Sequence, residues 1–84
     1  MTASAFLINY VKTLKEGERV CVFCDDAEYH GDFVRSQYGV SGELWVLLKV
    51  DSPVIPIVSI NMDYIVKIKK GENSHGEVYA ENRG

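Results

Sequence analysis

The residue types that do chemistry fall in a few short clusters. Cys21 and Cys24 stand in a C-x-x-C spacing and are the only two cysteines. Two thiols cannot supply the four ligands of a structural zinc site. The redox form of the motif opens a helix, whose dipole lowers a thiol pKa. Here the flanking VCVFC alternates as a strand does, and residues three apart on a strand point to opposite faces. The expectation is two diverging thiols, one buried and one half-exposed, with no redox role. Glu28, His30 and Asp32 alternate along the next segment and so share a face. Each two-residue step covers about 6.7 Å, a long reach for three side chains to meet one ion. That face is expected to be solvated outer surface, with no metal. Lys67, Lys69 and Lys70 could touch phosphate, but the alternation of Lys67 and Lys69 with Ile65, Val66 and Ile68 suits a half-buried strand end. His75 stands apart near the C-terminus. No nucleophile, base and orienting group come together, so no enzyme and no cofactor are expected.

The elements that must position these residues are short. Phe6, Leu7, Tyr10, Val11 and Leu14 recur at helical spacing, which predicts a helix over residues 4–15. Ser4 is placed to cap it, Lys12 and Lys15 suit its last turn, and Gly17 stops it. Strands follow at 19–24 and 28–35, joined by a tight turn at Asp25-Asp26. Gly31 inside the second strand marks a bulge, a bend or a close backbone approach. Residues 36–43, SQYGVSGE, read as a hairpin loop. The third strand, 44–50, is nearly all apolar and so belongs at the centre, covered on both faces. After a turn at Asp51-Ser52-Pro53 comes VIPIVSINM, 54–62, uncharged and interrupted by Pro56, which places it at an edge or a bulge. The fifth strand is 64–69. Val20, Val22, Tyr29, Phe33, Val46, Leu48 and Ile65 are the expected core. Residues 1–70 thus form one domain, and 71–84 read as a flexible polar tail.

The whole chain has 84 residues, a 46% hydrophobic and 25% charged composition, and a net charge of −3. An acidic balance counts against non-specific nucleic-acid binding, which is mostly phosphate neutralisation. No apolar run approaches the ~20 residues that cross a bilayer. The opening MTASAFLINYVKTLKEG lacks the pattern of a signal peptide, so a cytoplasmic protein with no membrane partner is expected.

Helix first, then short strands with glycine bends, suggests a small barrel. In detail the order resembles the Sm/LSm/Hfq family of ring-forming proteins. The family's first motif, apolar-x-Gly-x-apolar on the second strand after a turn, is matched by Tyr29-His30-Gly31-Asp32-Phe33 after Asp25-Asp26. The Leu-Leu-Lys that ends the third strand in the Hfq branch is matched within LWVLLK, 44–49. Ile60, Ile65 and Ile68 fit the isoleucine spacing of the second motif, and the likeness spans residues 4–70. Two signatures differ. Gln37 stands where the family usually has an acid, and Asn61-Met62-Asp63 stands where it has Arg-Gly or a nearby Lys-His.

The resemblance implies a mainly β fold: an N-terminal α-helix and a strongly bent five-stranded antiparallel SH3-like barrel of Sm type. It also implies a homo-oligomeric ring that holds single-stranded RNA on its pore-side loops. Gln37, Tyr38 and Asn61 would form that site, with Tyr38 stacking on a base. The residues read alone leave a second function open, a non-catalytic oligomeric protein-interaction module without RNA binding. In either case the chain's first partner is itself. A bare uncharged edge invites pairing with another copy, and the family closes its ring by pairing the fourth strand of one subunit with the fifth of the next. Val54, Ile55, Ile57, Val58, Ile60, Tyr64 and Val66 are the expected contact.

Overall fold

The computed structural model describes residues 5–71 and 79–81 of the chain. Helix α1, Ala5–Lys12, leads into strands β1 (Arg19–Cys24), β2 (Glu28–Tyr38), β3 (Leu44–Val50), β4 (Ile57–Asn61), β5 (Ile65–Lys70) and β6 (Tyr79–Glu81). A single 3₁₀ turn, Met62–Tyr64, joins β4 to β5. All strand pairings are antiparallel, and the sheet order is β4-β3-β2-β1-β5-β6. The mainly β class and the helix-then-five-strands order are as the sequence implies. Among the described residues β4 pairs only with β3, and β5 pairs with β1 and β6, so the bent sheet they form is left open.

Helix α1 is shorter than its apolar spacing suggests. Thr13 N–H and its hydroxyl both donate to the Tyr10 carbonyl, and Leu14 N–H donates to Val11, so i→i−3 bonds tighten and end the last turn. Lys15 therefore lies beyond the helix, in a turn that Glu18 closes through the Lys15 backbone N–H, with Gly17 at φ +89°. Leu7, Val11 and Leu14 enter the core, whereas Phe6 stays exposed. Ser4, the expected cap, lies outside the described residues.

Two irregularities bend the sheet. The register shifts between Phe23 and Cys24 in the β1–β5 pair and between Phe33 and Arg35 in the β2–β3 pair. Such bulges strengthen twist and let a small sheet curl on itself. Gly31 sits where β2 passes tightly over β3, and a Cβ there would lie 2.5 Å from the Lys49 carbonyl oxygen. Past the second bulge β2 continues to Tyr38, pairing Ser36, Gln37 and Tyr38 with Val46, Trp45 and Leu44. The expected hairpin loop over 36–43 is thus corrected to 39–43. Gly39 N–H donates to the Glu43 carbonyl, and Gly42 adopts φ +85°.

The fourth strand is also shorter than its apolar run. Pro56 precedes it, and the Pro56 carbonyl accepts from Val50 N–H, a turn contact after which pairing begins at Ile57. Val54 and Ile55 lie in the loop, where both N–H groups donate to the Ser52 hydroxyl. Met62 is buried at the start of the 3₁₀ turn.

Val20, Val22, Phe33, Val46, Leu48 and Ile65 form the core with Leu44, Ile60, Met62, Ile68, the helix residues Leu7 and Val11, and Leu14 just beyond the helix, and Tyr29 packs half-buried against it. β3 is covered less fully than expected: Leu44, Val46 and Leu48 are buried, while Trp45 and Leu47 are half-buried on the other face. The tail reading is corrected at one place, because residues 79–81 form β6 and pair with Lys67, Ile68 and Lys69 of β5. The remainder of 71–84 beyond Gly71, with His75, lies outside the described residues. None of the described helices is long and apolar enough to cross a membrane.

Candidate functional site

The open seam of the sheet carries a cleft of about 590 Å³ lined by Cys24, Asp25, Asp26, Tyr29, Trp45, Ser59, Ile60, Asn61 and Tyr64. It arises from the topology. The β1–β2 turn brings in Cys24, Asp25, Asp26 and Tyr29, the free edge strand β4 brings Ser59, Ile60 and Asn61, and the 3₁₀ turn brings Tyr64. Trp45 enters from β3 as the register partner of Asn61. Three aromatic rings and two carboxylates therefore share one opening. The sequence holds the signal for the acids, in Asp25-Asp26 at the turn, but not for their approach to Trp45, which requires β4 to fold back beside that turn.

Gln37, Trp45 and Asn61 form one cross-strand row, since Trp45 pairs with Gln37 on one side and with Asn61 on the other. Directly opposed residues of an antiparallel pair point to the same face. Two of the three residues expected to bind RNA are thus brought together, with Trp45 between them. Tyr38 is not. As the next residue along β2 it points to the other face, where Lys12 Nζ lies 5.8 Å from its ring centroid. There it lines a separate groove with Ile8, Leu44, Met62 and Asp63. The expected grouping rested on a loop at 36–43, and the extension of β2 removes it. Asn61 Oδ1 accepts from Asp63 N–H at 2.9 Å and so caps the 3₁₀ turn. Gln37 Oε1 accepts from Arg35 Nε at 3.1 Å, which places a cation beside the row that sequence reasoning missed.

The C-x-x-C thiols diverge. Cys24 lines the cleft, whereas Cys21 is buried on the opposite face of β1, as the register partner of His30. Burial pushes the Cys24 thiol pKa up, and Asp26 and Asp25 add to the rise. Burial also raises that of Cys21, with Glu28 adding to it and Lys69 and Lys67 opposing it. Neither thiol has the depressed pKa that a nucleophile or redox centre requires.

The remaining clusters resolve into ion pairs and one convergence. Asp32 shares the face of Glu28 and His30 and meets Arg19, its partner across the hairpin, 3.4 Å away, and Arg19 also holds Asp51 at 3.0 Å. Lys70 pairs with Glu18 at 2.7 Å, and Lys67 lies over the Phe23 ring at 4.8 Å. The lysine cluster is therefore divided among separate contacts. Glu28 and His30 meet directly, with Oε2 2.7 Å from Nε2.

Of the expected subunit-contact residues, Ile60 is buried in the chain's own core and Val58 packs half-buried against it, while Val54, Ile55, Ile57, Tyr64 and Val66 are exposed. β4 is an edge strand, as Pro56 implied. The outer edge of β5 is not bare, because β6 takes it at Lys67, Ile68 and Lys69. No protein-family model matches this chain, and neither does any curated protein or solved structure.

Proposed function

We propose that this chain is a non-catalytic small-barrel interaction module that takes a basic segment of a partner protein in the seam cleft. The lining of the cleft carries this reading: Trp45, Tyr29 and Tyr64 open onto the same space as Asp25 and Asp26. A cation over an aromatic face gains ~0.5–1 kcal/mol when exposed and ~2 kcal/mol or more when desolvated. The two carboxylates add attraction for a lysine or arginine and repel phosphate, in keeping with the net charge of −3.

Single-stranded RNA, implied by the Sm/LSm/Hfq resemblance, is the competing occupant. Trp45 between Gln37 and Asn61 offers a ring on which a base could stack. The adjoining carboxylates oppose the RNA backbone, and Tyr38 faces away.

Trp45 is the sole tryptophan, so its fluorescence reports on the cleft directly. Titration with lysine-rich and arginine-rich peptides, unmodified and with trimethylated lysine, and separately with single-stranded RNA, distinguishes the occupants. A saturable change with a basic peptide, weakened in an Asp25→Asn/Asp26→Asn double variant, is the expected result. Saturation by RNA alone, strengthened in that variant, would assign the cleft to RNA and overturn the proposal.

The second part of the reading is self-association through β4. It is favoured by an unpaired edge beside exposed Val54, Ile55 and Ile57. Because β6 lies on β5, the contact uses β4 without the fourth-to-fifth strand pairing of an Sm-type ring.

A further inference from the structure

On the face of the sheet away from the core, three different metal-ligand types converge. Cys21 Sγ lies 3.6 Å from His30 Nε2, and Glu28 Oε2 lies 2.7 Å from the same nitrogen. All three donor atoms fall within 4.8 Å of one another. Cys21 and His30 are register partners across β1 and β2, and Glu28 precedes His30 by two residues on the same face. The step along the strand that separates their backbones is bridged by the length of the glutamate side chain.

The arrangement is not a catalytic triad. In a triad the orienting carboxylate holds one ring nitrogen while the other faces the nucleophile. Here the carboxylate and the sulfur address the same nitrogen. Donors that converge on one point suit an ion better than a relay.

We propose that Cys21, His30 and Glu28 form a binding site for a divalent cation of the zinc class. With a Zn–S distance of about 2.3 Å and Zn–N and Zn–O distances of about 2.0 Å, a tetrahedral ion holds its sulfur about 3.5 Å from both the N and the O ligand, and its N and O about 3.3 Å apart. The sulfur–nitrogen edge, at 3.6 Å, is already close to that length. The carboxylate must withdraw from the imidazole and turn toward the sulfur, a movement open to a side chain that is 53% exposed. Thiolate, imidazole and carboxylate together suit zinc rather than the all-oxygen shells of magnesium or calcium. Thiolate and carboxylate would balance the dication, while Lys69, the partner of Cys21 on β5, and Lys67 beyond it oppose it. Three protein ligands leave a fourth position toward solvent, since His30 and Glu28 are both about half-exposed.

Calorimetric titration of the full chain with Zn²⁺, paired with Co²⁺ absorption, tests the site. The expected result is one ion per chain, with thiolate-to-cobalt charge-transfer absorption. Loss of second-shell groups alone weakens metal sites about 10–100-fold. Losing a ligand in Cys21→Ser, His30→Gln or Glu28→Gln should therefore weaken binding roughly a hundredfold or more, with Cys24→Ser unchanged. Since Cys21 is buried, the two exposed variants decide the matter if Cys21→Ser does not fold. No binding at millimolar Zn²⁺, or binding unchanged in both His30→Gln and Glu28→Gln, would overturn the proposal. So would a cobalt spectrum without thiolate character.

Discussion

Cys21 Sγ and His30 Nε2 lie 3.6 Å apart because the two residues are register partners across the β1–β2 hairpin. The same register leaves Cys21 only 7% exposed, whereas Cys24, beyond the bulge, lines an open cleft. An alkylating reagent should therefore label Cys24 first. The thiolate is the reacting form, and burial together with Asp26 and Asp25 holds the Cys24 pKa above the ordinary thiol range. Its labelling rate should keep rising past the pH at which a free thiol levels off. Neutralising both acids, in Asp25→Asn/Asp26→Asn, should move that profile to lower pH. Mass-spectrometric labelling across a pH series measures both, and faster labelling of Cys21 would contradict the assigned faces.

Phe33 is 5% exposed and sits in the core between the close approach at Gly31 and the bulge that follows it. Phe33→Ala should cost ~3–5 kcal/mol, the usual range for a buried phenylalanine. Gly31→Ala acts by the opposite route. Its Cβ would meet the Lys49 carbonyl, a backbone atom that cannot swing away, and overpacking of this kind costs about 1–3 kcal/mol. Denaturant unfolding of both variants checks the register. A Gly31→Ala protein as stable as the parent would show that β2 does not pass so tightly over β3.

Much of the fold was legible from the apolar spacing of its strands. Val20 and Val22 name the inner face of β1 by period, while Val46 and Leu48 belong to a strand too apolar for period alone to separate its faces. Boundaries failed where pairing overrode local chemistry. Gln37 and Tyr38 look like loop residues, but their partners Trp45 and Leu44 draw them into β2. Val54 and Ile55 look like strand, but pairing begins only after Pro56. The cleft was hidden because Asp25 and Trp45 are distant in sequence and meet only across the open seam. Cys21 beside His30 was within reach of sequence reasoning. A turn at Asp25-Asp26 pairs Phe23 with Glu28, and counting two residues away from the turn on each strand gives Cys21 and His30. Alternation along β2 alone groups Glu28, His30 and Asp32 and leaves out Cys21, which the neighbouring strand supplies.

Self-association through β4 is best tested at Ile57. Its side chain is 45% exposed on the edge strand, whereas Val58 packs against the core. A lysine at Ile57 would be solvated in a monomer but buried without a partner in an edge-to-edge contact. Ile57→Lys should shift the sedimentation distribution toward monomer while leaving the melting temperature of the isolated chain nearly unchanged. Val58→Lys should lower both stability and association. An Ile57→Lys protein that associates as the parent does would place the contact elsewhere.

β6 sets the form that association can take. It occupies the edge of β5 at Lys67, Ile68 and Lys69, so β4 of one copy cannot pair there with β5 of another while β6 is in place. A chain ending at Gly71 removes that cover and leaves a bare strand at each side of the sheet, β4 and β5. An interface whose two halves are different surfaces can repeat head to tail and close into a ring when the rotation per subunit divides a full turn. Truncation after Gly71 should therefore raise the assembly state, seen as larger species in sedimentation velocity, and Ile57→Lys in the truncated chain should reverse it. If the truncated chain sediments as the full chain does, β6 is not what limits pairing at β5. If it assembles but Ile57→Lys has no effect, the new contact joins β5 to β5 and leaves β4 out.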